Sequence, residues 1–233
     1  MNVKNKQILN YMTKIAIFSA LSSILYFVPK FPLPFLFPAF LDIQFSNLPA
    51  ILGGFAMGPV GGILIIVIRT LIKLPFSSTA YVGEFADLLI GIATVLTSSL
   101  IYKTHKTKKG GIVALLFGTV AWVVSSMLMN WLVLLPFYMQ AFYGGNTTKF
   151  IEDCIEVLPN MNTENFMKFY IFGAVLPFNA LLATMVGIIT FFVYKRISII
   201  FKKDFIGKGK LVVQENNVDD TRKKGANDEN NNC

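Results

Sequence analysis

Residues 47–74 read NLPAILGGFAMGPVGGILIIVIRTLIKL, and the architecture turns on whether this stretch is one apolar helix or two. As a single helix it holds nearly 30 residues, long for a membrane span of about 20 residues but attainable with tilt. Yet Gly58-Pro59-Val60-Gly61-Gly62 stands in its middle, a cluster of residues that break helices. The charges of the neighbouring loops decide. If the stretch is one span and the N-terminus is inside, the basic loop KTHKTKK (Lys103 to Lys109) falls outside, against the excess of Lys and Arg that cytoplasmic loops carry. If the chain turns at Gly58-Pro59, that loop lies inside. The cluster Lys195, Arg196, Lys202 and Lys203 then also lies inside, and the acidic loop with Glu152, Asp153, Glu156 and Glu164 lies outside. Six segments satisfy every loop and five do not.

The composition supports a membrane reading from the start. Hydrophobic residues make up 54% of the 233 and charged residues 15%, well below the quarter or so of charged residues in soluble domains. The formal net charge of +8 would suit a nucleic-acid partner, but the lysines sit beside apolar blocks, where anchoring charges belong. The remaining spans are Ile8 to Val28, Gly83 to Tyr102, Gly111 to about Phe142, and Lys168 to Val193. Ile8 to Val28 is too long for a signal-peptide core and reads as a retained span. The fifth region carries Pro136, which predicts a kink. The helix Ser46 to Met57 is too short to span alone, so neighbours must shield its ends. The fold class is therefore an all-α integral membrane protein, a six-helix bundle over residues 1–203, with both termini cytoplasmic. Residues 204–233 read as a polar cytoplasmic tail without a fold of its own.

Pro29 to Ser46 (PKFPLPFLFPAFLDIQFS) has four prolines and five phenylalanines. The prolines forbid a continuous helix, and the phenylalanines make the segment too apolar for a free aqueous loop. A structured first outer loop folded over a cavity fits better.

Chemistry-bearing residues are few. The sole histidine, His105, lies among the inner lysines, Cys154 and Cys233 have no metal-site spacing, and no phosphate-binding GxxxxGK[ST] loop exists,. No catalytic residues, metal ligands or cofactor are read. Arg69 and Lys73 lie one turn apart, Glu84 and Asp87 share a helix face, and the short connection Pro75 to Val82 makes the two pairs neighbours. A structural ion-pair cluster is the plainer reading, with Asp87, one turn deeper, the candidate to meet a ligand. Asn130, beside Trp131, Pro136 and Tyr138, and Asn179, in Pro177-Phe178-Asn179, put amides on two separate helices. Each either bonds a neighbouring helix or binds the rim of a planar heterocycle. Ala16 and Ala20 form a small-residue strip that allows close approach of another helix, within the protein or from a partner.

These residues together resemble the substrate-binding membrane subunits of energy-coupling factor vitamin importers, nearest the riboflavin branch. The resemblance runs from Lys14 to about Ile197. It is carried by Ala16-xxx-Ala20, the Pro-rich loop leading into Phe45-Ser46-Asn47-Leu48-Pro49-Ala50, Phe55 to Gly62, Ser78 to Asp87, Asn130 to Tyr138, and Pro177-Phe178-Asn179. It implies a six-helix fold that captures a small vitamin, riboflavin first, near the outer face beneath the first loop. It implies substrate contacts from Phe40, Asp42, Gln44, Phe45, Asp87, Gly91, Asn130, Tyr138 and Asn179, with Trp131 also flanking the ring. It further implies that Ala16 and Ala20 dock on a membrane-embedded coupling subunit driven by two ATPase subunits, in the cell membrane and with no nucleic acid involved. The chain departs from the family where relatives commonly carry Asp, at Gln44 and Asn47, and at Leu182, where the family usually has a ligand-contacting lysine. The departures keep a different small vitamin or precursor open as cargo. A stand-alone secondary transporter would use Glu84 and Asp87 for ion coupling but ordinarily shows inverted repeats, and none is visible. An intramembrane enzyme lacks a Ser-His pairing or zinc motif.

Overall fold

The computed structural model describes residues 3–28, 31–38, 41–194 and 196. The proposed tail, the basic residues Lys195, Lys202 and Lys203, and Phe40 lie outside the described residues. The chain divides into two units, Met1–Phe191 and Phe192–Cys233, and the architecture below is that of the first.

Helix α1 (Val3–Phe27) leads through an antiparallel pair of two-residue strands, β1 (Phe31–Pro32) and β2 (Asp42–Ile43), into α2 (Asn47–Met57) and α3 (Pro59–Lys73). A 3-10 turn at Leu74–Phe76 precedes α4 (Val82–Thr104), then α5 (Lys108–Met129), α6 (Leu135–Ala141), α7 (Thr147–Cys154) and α8 (Phe166–Phe169). Among the described residues five helical stretches are long and apolar enough to cross a membrane: Asn5–Phe27, Pro59–Phe76, Val82–Thr104, Lys108–Ala141 and Phe166–Tyr194. With α2 they make the six segments expected.

The turn expected at Gly58-Pro59 is where α2 and α3 part. Gly58 has φ +89° and its amide closes α2 on the Gly54 carbonyl at 2.8 Å. Nothing lies within 4 Å of where its Cβ would be, so the backbone angle rather than space calls for glycine. Pro59 opens α3, where its missing N–H costs nothing. The two helices then lie flank to flank: a Cβ on Gly62 would stand 3.0 Å from Gly54 Cα and 3.1 Å from the Ala50 carbonyl oxygen. At 1.5 Å per residue α2 is only about 16 Å long, and eight of its eleven residues are buried. That burial supplies the shielding a short intramembrane helix needs.

The burial pattern is that of a protein in lipid. Ile8, Leu9, Met12, Ile17 and Ile24 of α1 are exposed, as are Leu116, Phe117, Val120, Val124 and Leu128 of α5, whereas Ser19, Ser22, Ser23, Arg69, Thr94, Ser98 and Ser126 are buried. Apolar residues outside and hydroxyls inside keep the polar side chains out of hydrocarbon.

The last two spans are each interrupted by a π-turn, Asn130–Leu134 and Tyr170–Val175, and the two turns pack together. Each ends two residues before a proline, Pro136 and Pro177. A proline inside a helix lacks an N–H and its ring presses on the carbonyl four residues back; widening the preceding turn relieves both. The irregularity expected at Pro136 is thus taken up one turn earlier. Beyond the spans, the acidic segment is no loose loop. Helix α7 buries Phe150, Ile151 and Cys154 against Leu135, Met139, Tyr170 and Ile171, while Glu152, Asp153 and Glu156 stay exposed.

Candidate functional site

The first loop, the α3–α4 connection and the two π-turns share the end of the bundle opposite the Lys103–Lys109 loop, and the candidate residues fall into two bonded groups there. The first is centred on Arg69, which has no exposed surface. Its Nη2 donates to Asp87 Oδ2 at 2.7 Å and its Nη1 to Ser46 Oγ at 2.7 Å. The guanidinium lies 5.4 Å from the Tyr26 ring centroid, a cation–π contact. Gln44 Oε1 accepts from Ser46 Oγ at 3.5 Å. Gly91 lets this group close up, since a Cβ there would stand 3.2 Å from both Arg69 Nη2 and Asn47 Oδ1. Buried in a low-dielectric interior, the ion pair keeps each charge from being stranded.

The four charges expected to cluster are therefore sorted into different partnerships. Arg69 and Asp87 form the ion pair. Glu84 accepts from the hydroxyls of Ser77 and Thr79, both at 2.7 Å. Lys73 donates to the Phe76 carbonyl at 3.2 Å and lies 4.9 Å from the Phe27 ring centroid.

The second group joins α5 to the last span. Asn130 Nδ2 donates to the Ser126 carbonyl at 2.9 Å, and its Oδ1 accepts from Tyr170 Oη at 3.4 Å. Asn179 Nδ2 donates to the Val175 carbonyl at 2.9 Å, and its Oδ1 accepts from Trp122 Nε1 at 3.1 Å. Both asparagines are buried, and both tie their side chain to the carbonyl one turn back beside a π-turn. An asparagine amide carries two N–H donors, so each retains a second N–H beyond the one named.

The first loop touches both groups. Phe37 is buried and meets Phe178, the neighbour of Asn179, edge to face with centroids 5.2 Å apart. Phe31 pairs with Ile43 and Pro32 with Asp42, which closes the loop at its base, and Ser46 delivers the end of the loop to Arg69. Of the residues expected to bind substrate, Asp87, Gly91 and Gln44 surround Arg69, and Asn130 and Asn179 stand at the π-turns. Asp42 and Phe45 are half-buried in the loop. Tyr138 is half-buried on α6, its hydroxyl 3.0 Å from where a Cβ on Gly83 would lie. Trp131 departs from expectation: it is 39% exposed, because Asn130 takes the inward position and the next residue on a helix turns away. Trp122 takes up the buried indole role, and the signal was present in the spacing of Trp122, Ser126 and Asn130, four apart on one helical face. Leu182, where a lysine was expected, is 3% exposed and brings no charged donor. On α1 the face bearing Ile15, Phe18, Ser19 and Ser22 is buried, while Ala16 and Ala20 are exposed on the other side.

The family described as "ECF transporter, substrate-specific component" matches residues 10–203. Riboflavin transporter RibU of Staphylococcus aureus (strain TCH60) is 31% identical over 189 residues, which cover 81% of this chain and 90% of that one. Riboflavin transporter FmnP of Bacillus subtilis (strain 168) is 32% identical over 130 residues, 54% of this chain and 68% of that protein. A solved structure of the S component of a bacterial ECF transporter superposes with a TM-score of 0.63 at 29% identity, covering 83% of this chain and 98% of that chain. A six-segment membrane bundle, a loop pinned over buried amides, and a family match across nearly all of the described chain agree: the protein belongs to the substrate-specific components of ECF transporters, and is a transporter subunit rather than an enzyme.

Proposed function

We propose that this subunit captures riboflavin at the outer face of the cell membrane and delivers it for ATP-driven import. The observation that carries the reading is the pair of buried asparagines, one in the first π-turn and one just past the second, next to a first loop that packs by Phe37 on Phe178. Each amide keeps an N–H for the ring-edge acceptors of a planar heterocycle, and the loop's phenylalanines supply an apolar cover. Asp42, Gln44, Phe45, Asp87, Gly91 and Tyr138 complete the proposed contacts, and Phe40 is proposed from sequence alone. With Leu182 in place of a lysine, the two asparagines carry more of the recognition. That same position favours, as a second reading, a different small vitamin or precursor as cargo.

The exposed Ala16 and Ala20 are the proposed docking strip for a membrane-embedded coupling subunit, which two ATPase subunits drive. The termini and the Lys103–Lys109 loop are placed on the cytoplasmic side by the charge rule.

The test is to purify the protein in mild detergent, record its visible absorption, and titrate riboflavin by fluorescence quenching. A saturable quench that weakens roughly tenfold or more in Asn130→Ala, the scale of one buried hydrogen bond, is expected. Ala16→Trp should bind normally and abolish uptake in cells. A protein that leaves riboflavin fluorescence unchanged overturns the flavin assignment, and a screen of other vitamins then reads the alternative.

A further inference from the structure

Ser46 stands at the N-cap of α2, the position where a serine side chain ordinarily accepts from an amide of the first turn. Here it makes no such bond. Its Oγ instead accepts from Arg69 Nη1 at 2.7 Å, and its carbonyl accepts from Ser22 Oγ at 2.6 Å. A residue placed to stabilise α2 has thus been turned toward α3 and α1. The hydroxyl is the last side chain of the loop before α2 begins, so this bond fixes where the loop ends. The Arg69–Asp87 pair does not depend on it, because that pair uses the other terminal nitrogen. The Ser46 bond is therefore separable: it can open while the buried charges remain matched.

We propose that Arg69 is a positioning residue that latches the first loop closed through Ser46, and that this latch sets how long the bound ligand is retained. Arg69 acts through Ser46 and not by touching the ligand. The inference rests on the reading of the loop as the cover of the substrate site. Among the described residues the loop is held by Phe37 on the last span, by the β1–β2 pair at its base, by the Ser46 carbonyl on Ser22, and by the Ser46 hydroxyl on Arg69. Of these four, the last joins the loop to a charge anchored in the bundle, and a hydrogen bond to a charged group is stronger than one between neutral groups. Removing it leaves the loop end after Gln44 and Phe45 held at Ser46 by the neutral Ser22 bond alone of the two.

The experiment uses the full chain in lipid nanodiscs. Wild type, Ser46→Ala and Ser46→Thr are loaded with tritiated riboflavin, chased with excess unlabelled riboflavin, and followed for release. In parallel, amide hydrogen exchange of the ligand-free proteins is compared over residues 41–46 and over α4 and α5. Release from Ser46→Ala is expected to quicken about tenfold or more, with faster exchange confined to the loop end, and Ser46→Thr, which keeps the hydroxyl, restores both. A purely structural role would lower the melting temperature and leave the release rate alone. Release within about twofold of wild type overturns the latch, as does faster exchange spread evenly through α4 and α5. If the wild type binds no riboflavin, the cargo assignment falls, and exchange at the loop end still decides the latch.

Discussion

Asp87→Ala tests whether the charges in the bundle are held by each other. Arg69 has no exposure and the Asp87 side chain is 16% exposed, with 2.7 Å between Nη2 and Oδ2. Removing the carboxylate leaves a guanidinium in the interior with Ser46 and the face of Tyr26 as its remaining named contacts. Breaking a buried pair by deleting one partner costs about 3–5 kcal/mol. For a chain of this size each kcal/mol lowers the melting temperature by about 2–4 °C, so a drop of roughly 6–20 °C is expected. The double variant Arg69→Met, Asp87→Leu removes both charges at similar volume. Such swaps are often neutral or stabilising by about 1–4 kcal/mol, so the double variant should melt near or above the wild type. The assay is tryptophan-fluorescence melting in detergent, with Asp87→Ala, the double variant and the wild type scanned at one rate. A drop below about 2 °C in the single variant would refute the reasoning, since it would mean that the cation finds water. A double variant as unstable as the single one would do so too, because shape and not charge would then be at stake.

Two further outcomes follow from the geometry. Trp122→Phe removes the donor to Asn179 Oδ1 and leaves that buried acceptor without it, which should cost about 1–3 kcal/mol in melting experiments and weaken riboflavin quenching; unchanged affinity would make Asn179 purely structural. Burial, aided by the Asp153 carboxylate, pushes the Cys154 thiol from 9.0 up to about 12. The folded protein therefore holds this proton through a range where the unfolded chain has released it. Stability should fall as pH rises from about 9 toward 12, and maleimide at pH 8 should label Cys154 in a Cys233→Ser background only on unfolding. Rapid labelling of the folded protein would contradict the placement of α7.

The sequence was most informative where a local rule and a global rule coincided. Gly58-Pro59 breaks a helix by its own chemistry, and the lysines of 103–109 demanded a break at the same place, so α2 and α3 were legible as two. Arg69 and Asp87 were legible as neighbours because eight residues of connection between two spans leave little choice. Their partners were not. Ser22, Ser46 and Tyr26 belong to elements whose approach depends on how α1 packs against α2 and α3, and no local pattern announces that. The π-turns were hidden for a related reason. Asn130 to Leu134 reads as ordinary apolar helix, and only the proline ahead hints that the turn must widen. Trp131 adjoins Asn130 in sequence, but residues one apart on a helix face different ways, and Trp122 is the indole that reaches Asn179. The acidic segment reads as a polar loop by its charges, although the spacing of Phe150, Ile151 and Cys154 gives one buried face.

The widened turn at Asn130–Leu134 also sets a phase. One residue on an α-helix corresponds to a rotation of about 100°, so a turn that holds a surplus residue rotates everything after it relative to everything before. Asn130 faces inward on one side of the turn, and on the other Tyr138 is aimed at the Thr79–Gly83 corner. Their relative direction is stored in the length of the segment and not in any side chain within it. Leu132, Val133 and Leu134 are therefore free to exchange for other apolar residues. Loss of any one of them would let the turn tighten and swing Tyr138 about a quarter-turn away. The constraint that this stretch places on the sequence is a count.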